Sequence, residues 1–496
     1  MNEEQRKAVN PADATDVVNA YFLGAYGENN ELVENIFLEF LRDHVYWRRN
    51  IHPDDPIPIS TLYQYQPEYL RLIAKMKQEL HRLSADLKHS VPFFNPRYIG
   101  HMASDLVLPG LLAELITTFY NPNNVSEEAA PVTLRHEMAV AKQLARMIGF
   151  NTDPGHEPCA WGHLTSGGTI ANFEALWYLR AVRFYPLAMQ AGLQKLRVDV
   201  DWPEAVQELL DTHDEWRLVN RSLEEVIDLK RTMTSALAKM DQERARACID
   251  SVESERIEHL GVAGFFQRHT RCRPPVVCVP VTAHYSWQKA MKVLGLGSAQ
   301  LLSIPADVEM RMDTGALEQI LRGALEDHTP VLAVVGVLGT TEFGSVDPID
   351  RVIQQRNAFR DRGLEFSVHV DAAWGGYLLS MFREADGSFS SQDQASKGLC
   401  YFPSDASYQA FKAMSDVDSV TVDPHKLGYL PFGIGGIVLR NGEIPDFVSQ
   451  EAAYVFAEEQ DLAGDRLSGT GHYRHLGKFI MEGSKPGSSA AAAYVT

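Results

Sequence analysis

Residues 330–341 read PVLAVVGVLGTT, an apolar run of strand length that opens on proline and closes on Gly-Thr-Thr. A run this short, rich in valine and bounded by breakers, predicts a strand buried on both faces. Its flanks repeat apolar residues at helical spacing: GALEQILRGALEDH (315–328) before it and DPIDRVIQQRNAFRDRG (347–363) after it. A second strand follows, FSVHVDAAWGG (366–376). Upstream the alternation continues with a strand in PPVVCVPVT (274–282), a helix in HYSWQKAMKVLG (284–295) and a strand in AQLLSIPAD (299–307). Downstream come a β-rich run, DSVTVDPHK (418–426), and a returning strand, GGIVLR (435–440). Strands separated by helix-length segments imply a mainly parallel sheet covered on both faces, an α/β fold.

The ends of the chain differ. Residues 13–88 predict helices: NELVENIFLEFLRDHVYW (30–47) has helical periodicity, HPDDPIPIS (52–60) breaks it with prolines, and residues 66–87 resume it. The division expected is a helical segment over 1–94 and a large domain over 95–440, followed by a last stretch, 441–496. The large domain carries a charged helical insertion at 195–270, read as a solvated face rather than a partner-binding arm.

Composition excludes some functions. At 496 residues with 45% hydrophobic content, the chain is long enough for a large core. A formal net charge of −19 argues against nucleic acid or an anionic membrane as a main partner, since both reward positive charge. The five cysteines are odd in number and form no C-x-x-C, which fits reduced thiols in a cytoplasm. No run approaches membrane-spanning length, and the first residues carry no apolar signal core. The histidines in HVD (His369) and HYRH (His472) lack the further ligands a zinc site needs, so no metal is expected.

Several polar residues stand where strands are expected to end, the edge at which open α/β sheets bind ligands. Lys426 follows the strand DSVTV and precedes a glycine-rich run, LGYLPFGIGG. Alone it reads as a solvent-facing lysine. A buried amine, however, loses its charge readily and attacks an aldehyde to form a Schiff base. A cofactor aldehyde held there needs a phosphate anchor, a partner for its ring face and an anion for its pyridine nitrogen. Ser166, Gly167, Gly168 and Thr169 open a helix, and free N–H groups at a helix start suit a phosphate; a plain N-cap is the alternative. Asp371 ends a strand, where a carboxylate needs a cationic partner or caps the following turn. His284 sits between a strand and a helix, either to stack on a ring and exchange protons or as an ordinary cap residue. Thr340 and Thr341 add hydroxyls after another strand.

The ordered set TSGGTIAN (165–172), TAHYSWQKA (282–290), GTTEFGSVDP (339–348), HVDAAWGG (369–376) and DPHKLGY (423–429) resembles the group II pyridoxal-phosphate-dependent amino-acid decarboxylases of fold type I. NPRYIGHM (95–102), TTFYNPNN (117–124) and MEGSKPGSSAAAAYVT (481–496) resemble the bacterial tyrosine decarboxylase branch in particular. The resemblance implies a seven-stranded, mainly parallel sheet and a homodimer with active sites at its interface. It implies that Lys426 carries the cofactor, Asp371 pairs with the pyridine nitrogen, His284 stacks on the ring and Ala373 packs on its other face. By the same likeness Gly168 and Thr169 hold the phosphate, with Ser166 and Gly167 shaping the turn and His425 nearby. Thr341 lies near the substrate or the Schiff base, and His101 belongs to the substrate pocket. Tyr473, with His472 as second choice, lies where the family has a mobile-loop tyrosine tied to protonation of Cα; residues 441–496 then form that loop and the start of a small C-terminal domain. Phe432 stands where tyrosine decarboxylases usually carry tyrosine, which puts tyrosine itself in doubt as the substrate. Family members continue well past position 496, so the chain is expected to be a fragment. The activity implied is decarboxylation of an aromatic L-amino acid, tyrosine, phenylalanine or a relative, in the cytoplasm. The alternatives are a lyase of a phosphorylated amine, whose lysine motif DPHKLGY also resembles, and a truncated, non-catalytic dimerising scaffold.

Overall fold

The computed structural model describes residues 18–196, 200–397, 399–449 and 474–496. Seven strands form one sheet: β1 (Trp161–Thr165), β2 (Val276–Pro280), β3 (Leu301–Ile304), β4 (Val331–Val337), β5 (Ser367–Asp371), β6 (Ser419–Val422) and β7 (Gly435–Leu439). Their spatial order is β1-β7-β6-β5-β4-β2-β3. The pairs β2–β3, β2–β4, β4–β5 and β5–β6 are parallel. Strand β7 lies antiparallel between β1 and β6, so it alone runs against the rest.

The sheet is covered on both faces, as its unbroken apolar strands require. Alternate residues of one strand enter different cores. Val277 and Val279 join the core built by helix α5 (Gly168–Leu196) and the insertion, while Val276 and Cys278 join the opposite one. That opposite core takes apolar residues of α4 (Thr133–Ile148) and of the helices Thr314–Glu326 and Ile349–Arg360. Helix α5 is buried on nearly every side because the insertion lies over it.

The charged insertion therefore has a buried side that its composition hides. Leu209, Val226, Ile227, Met233, Cys248 and Phe265 are all within 4% of complete burial. Ser222 opens the helix Leu223–Leu237 with a capping box to Glu225. The N-terminal helices behave oppositely. Helix α1 (Asn30–Ile51) buries only His44, and α2 (Pro67–Leu87) buries nothing. Helix α3 (Leu108–Thr118) packs against α1 and against the helix Gly487–Val495.

Because β1, β2, β4, β5 and β6 share one direction, their carboxyl ends lie along a single edge. The reversed strand β7 begins at that same edge. Ser166, His284, Thr341, Asp371 and Lys426 all follow or end these strands, so the topology gathers them although the sequence spreads them widely.

Candidate active site

At that edge lies a cavity of about 350 Å³. Ser166, Gly167, Gly168, Thr169, His284, Thr341, Asp371, Ala373, His425 and Lys426 all line it. Every residue that the sequence assigns to the cofactor thus lines one space.

One wall is the turn between β1 and α5. Gly167 has φ +150°, which an L side chain rarely adopts, and a Cβ there would meet open space. Gly168 begins α5, where the first N–H groups have no carbonyl four residues back to bond. The backbone N–H of Ser166 donates to Glu482 Oε2 at 3.3 Å. This turn already takes a carboxylate from the last segment, the behaviour expected of an anion-binding turn.

The opposite wall is anionic. Asp371, at the end of β5, is 5% exposed. Its Oδ2 accepts from Asn172 Nδ2 at 2.8 Å and its Oδ1 from the Ala373 N–H at 3.3 Å. Both donors are neutral. His284 borders the same cavity, with Nδ1 accepting from the Ser286 N–H at 3.2 Å. Burial holds the His284 imidazole below its ordinary value; the Asp371 charge opposes this, and Lys426 and Lys289 reinforce it. His369, one strand position before Val370, lies fully buried behind the cavity. Burial lowers its value to about 4 against the pull of Asp371, and it bonds Ser419 Oγ at 2.8 Å.

The third wall is the connection from β6 to β7. Lys426 Nζ stands 3.4 Å from Asp423 Oδ2, with the lysine side chain 21% exposed. His425 donates from Nδ1 to the carbonyl of Ile434 at 2.8 Å, which fixes the ring beside the lysine.

Among the described residues, two of those named lie elsewhere. His101 does not line this cavity: it is exposed, with φ +56°, and bonds the Tyr98 hydroxyl. Its neighbour Met102 is the residue of that stretch that reaches the cavity. Phe432 lines an adjoining cavity of about 290 Å³, which His425 also borders. Tyr473 and His472 lie outside the described residues. Conversely, sequence reading assigned no role to Asn172 or Asp423. Asn172 is a lone amide in the apolar helix run IANFEALWYL; Asp423 sits three residues before the lysine, in plain view.

The cavity suits pyridoxal phosphate on its own features. Asp371 is a buried carboxylate that forms no ion pair with another described residue, so a cationic pyridine nitrogen meets its need. The glycine turn offers N–H groups to a phosphate, and Lys426 supplies an amine at the cavity wall. No cluster of His, Cys, Asp or Glu among the described residues is arranged to hold a metal ion.

Residues 266–470 match the pyridoxal-dependent decarboxylase conserved domain. An L-tyrosine decarboxylase from Levilactobacillus brevis is 33% identical across 96% of this chain and 70% of its own length. One from Enterococcus faecium is 35% identical across 96% of this chain and 72% of its own. The chain belongs to the group II pyridoxal-phosphate-dependent decarboxylases. Within them it falls in the branch of the bacterial tyrosine decarboxylases. This decarboxylase shares its fold, at a TM-score of 0.54 and 15% identity, with Oryza sativa TDC crystallised with PLP and tryptamine; the match covers 98% of this chain and 75% of that one. It is a carboxy-lyase of amino-acid metabolism, and its cofactor is pyridoxal phosphate.

Proposed function

We propose that this decarboxylase removes the α-carboxylate of an aromatic L-amino acid. The observation that carries the substrate class is the adjoining cavity. Phe93, Phe94, Tyr429 and Phe432 line it, and among the described residues neither lysine nor arginine does. A second carboxylate, as in glutamate, finds no lysine or arginine there among the described residues, and only His425 as a group that could become a cation. Arg97, the cation of the neighbouring stretch, is exposed and lines neither cavity. The relatives named as L-tyrosine decarboxylases support the same class.

The proposed roles follow the geometry. The turn Ser166–Thr169 holds the phosphate, Lys426 carries the cofactor, and Asp371 keeps the pyridine nitrogen charged. His284 and Ala373 pack on the two ring faces, Thr341 lies near the substrate or the bond to Lys426, and His425 lies near the phosphate. Bound pyridoxal phosphate supplies an electron sink for the pair released as carbon dioxide departs. The chain must hold the carboxylate bond perpendicular to the ring and exclude water from Cα. With its value lowered by burial, His284 is neutral near neutral pH and so a hydrogen-bonding face rather than a competing cation. Tyr473 remains our candidate for returning the proton to Cα, and His101 and Phe432 for the substrate pocket.

The working unit proposed is a homodimer in the cytoplasm. Leu70, Leu72, Met76, Leu80, Leu83 and Leu87 of α2 are each more than half exposed. An amphipathic helix with so much bare apolar surface needs cover, and a second copy supplies it. No helix among the described residues is long and apolar enough to cross a membrane, and all five cysteines are unpaired.

The test is a decarboxylation screen over the amino acids with sedimentation of the same sample. Aromatic substrates should lead, with phenylalanine turned over relatively better than in tyrosine specialists because of Phe432, and the species should be a dimer. Faster carbon dioxide release from glutamate than from any aromatic amino acid would overturn the substrate assignment. A fully active monomer would overturn the dimer.

A further inference from the structure

The cavity holds a second buried carboxylate. Asp423 follows β6 and is 3% exposed. Its Oδ1 has no hydrogen-bond partner among the described residues. Its Oδ2 lies 3.4 Å from Lys426 Nζ and 3.7 Å from His425 Nε2. Two glycines make room for it: a Cβ on Gly168 would come within 2.8 Å of Oδ2, and one on Gly435 within 2.8 Å of Oδ1. A carboxylate wedged between glycines with an orphan oxygen costs stability, and so needs a reason other than packing.

We propose that Asp423 is the proton partner of Lys426. It stabilises the lysine as an ammonium ion whenever the amine is free, and takes one proton from it when the amine must act as a nucleophile. In that transfer one N–H bond of the ammonium breaks and its electron pair remains on Nζ as the lone pair. One O–H bond forms on Asp423 Oδ2. The pair is neutral overall before and after, so a buried site accommodates both forms without a new net charge. The inference rests on the proposal that Lys426 carries the cofactor.

The other charged groups around Asp423 are less suited. His425 commits Nδ1 to the Ile434 carbonyl and stands farther from the carboxylate than the lysine does. Asp371 is occupied by Asn172 and the Ala373 N–H. Tyr377 is partly buried, and its desolvation, with the Asp423 charge second, keeps its hydroxyl protonated. His284 feels both Asp371 and Lys426. The start of α5, at Gly168, favours a negative charge on Asp423. Burial raises the Asp423 carboxyl, with the charges of Lys426 and His425 opposing, so its proton is held less weakly than an ordinary carboxyl's. That narrows the gap to a buried amine and eases the exchange.

The experiment reads the protonation of Lys426 directly, in protein freed of cofactor. Reductive methylation with formaldehyde and borohydride is followed across pH by mass spectrometry of the peptide carrying Lys426. Asp423→Asn keeps the shape of the side chain between Gly168 and Gly435 and removes its charge. The midpoint for Lys426 should fall by about one pH unit or more in Asp423→Asn, since an ammonium without its counter-ion deprotonates sooner. A purely packing role leaves the midpoint where it was, and an unchanged midpoint overturns the proposal. The cofactor-loaded protein is the control. Lys426 labelled equally with and without cofactor sinks the cofactor assignment itself, whereas a protected Lys426 with an unmoved midpoint sinks only the proton partnership. Should Asp423→Asn not fold, infrared spectra of cofactor-free wild type and Lys426→Ala decide. Removing the cation should bring up a protonated carboxyl band at neutral pH, and its absence overturns the pairing.

Discussion

Asn172 Nδ2 donates a 2.8 Å hydrogen bond to Asp371 Oδ2 across 199 residues of sequence. The same amide reaches Ser286 Oγ at 3.0 Å, and its Oδ1 accepts from Thr421 Oγ1 at 2.8 Å. One side chain on α5 thereby joins β5, β6 and the helix Ser286–Val293 beneath the cavity. Asn172→Leu leaves all three partners short of a bond. The expected loss is about 1–3 kcal/mol of stability, read by chemical unfolding, with a fall in turnover because Asp371 is no longer aimed. Asn172→Asp should impair turnover more than Asn172→Leu, since a second carboxylate beside Asp371 favours protonating one of them. Equal turnover in wild type and both variants would refute the aiming role.

Gly435 and Gly323 should respond to alanine in opposite directions. A Cβ on Gly435 would lie 2.6 Å from the backbone of Gly167 and 2.8 Å from Asp423 Oδ1, and neither yields easily. Gly435→Ala is expected to cost about 1–3 kcal/mol and to weaken cofactor retention in dialysis. Gly323, in the helix Thr314–Glu326, has nothing within 4 Å of such a Cβ. Gly323→Ala should stabilise by about 0.5–1 kcal/mol. Thermal unfolding of the two variants compares them.

The segment after residue 473 is held by a buried cation. Lys485 Nζ meets Glu137 Oε1 at 2.5 Å, and both side chains are nearly inaccessible. Glu137 also accepts from Asn124 Nδ2 at 2.7 Å and from the Leu164 N–H at 3.0 Å. Lys485→Met strands that carboxylate and should cost about 3–5 kcal/mol. The double variant Lys485→Met, Glu137→Leu should recover much of the loss. Urea midpoints of single and double variants test the asymmetry; a double variant as unstable as the single would show that shape, not charge, dominates.

Acid sensitivity should trace to His369. Its folded value near 4 lies below the ordinary 6.5 because burial disfavours the charged ring. The unfolded chain therefore binds the proton first. The histidine's contribution is fully present above 6.5 and is lost as the pH falls towards 4, on the order of 3 kcal/mol in total. Asp347 works in the opposite sense: its carboxyl is pushed up to about 6 by burial, so its share is present at low pH and lost as the pH rises through 6. That term cancels between wild type and His369→Gln. The stability of His369→Gln, measured by urea unfolding from pH 7 to 4, should fall less steeply than that of wild type. Parallel curves would remove His369 as the cause.

The strands β2, β4 and β5 were legible because each is a short valine-rich run between breakers, and that pattern is local. Strand β1 was not read as a strand. Its run WGHLT contains His163, whose polarity is answered only in three dimensions, by Glu174 Oε2 at 2.7 Å within the core. The insertion was legible as helices but not as a cover for α5, since its charges outnumber its apolar contacts in sequence while the fold turns the latter inward. At the site, residues that end strands announced themselves. Asn172 did not, because nothing in a helix interior reveals that an amide has three partners from distant segments. His101 was placed by its motif, yet the chain turns it outward and sends Met102 into the cavity.

The reversed strand β7 governs how far the amine of Lys426 can travel. A parallel neighbour would have required a crossover, and the lysine would then have ridden on a long, separately moving connection. Instead the chain leaves β6 after Val422 and re-enters the sheet at Gly435, so the arc between them is pinned to adjacent strands at both feet. It is tied again in its span, where the His425 N–H donates to the Ile434 carbonyl and that of Lys426 to the Asp423 carbonyl at 3.0 Å. Such an arc behaves as a bracket rather than a hinge. In its proposed role Lys426 reaches and leaves the cofactor by rotating its own four-carbon stem, so its stroke is set by side-chain torsions and not by movement of the backbone.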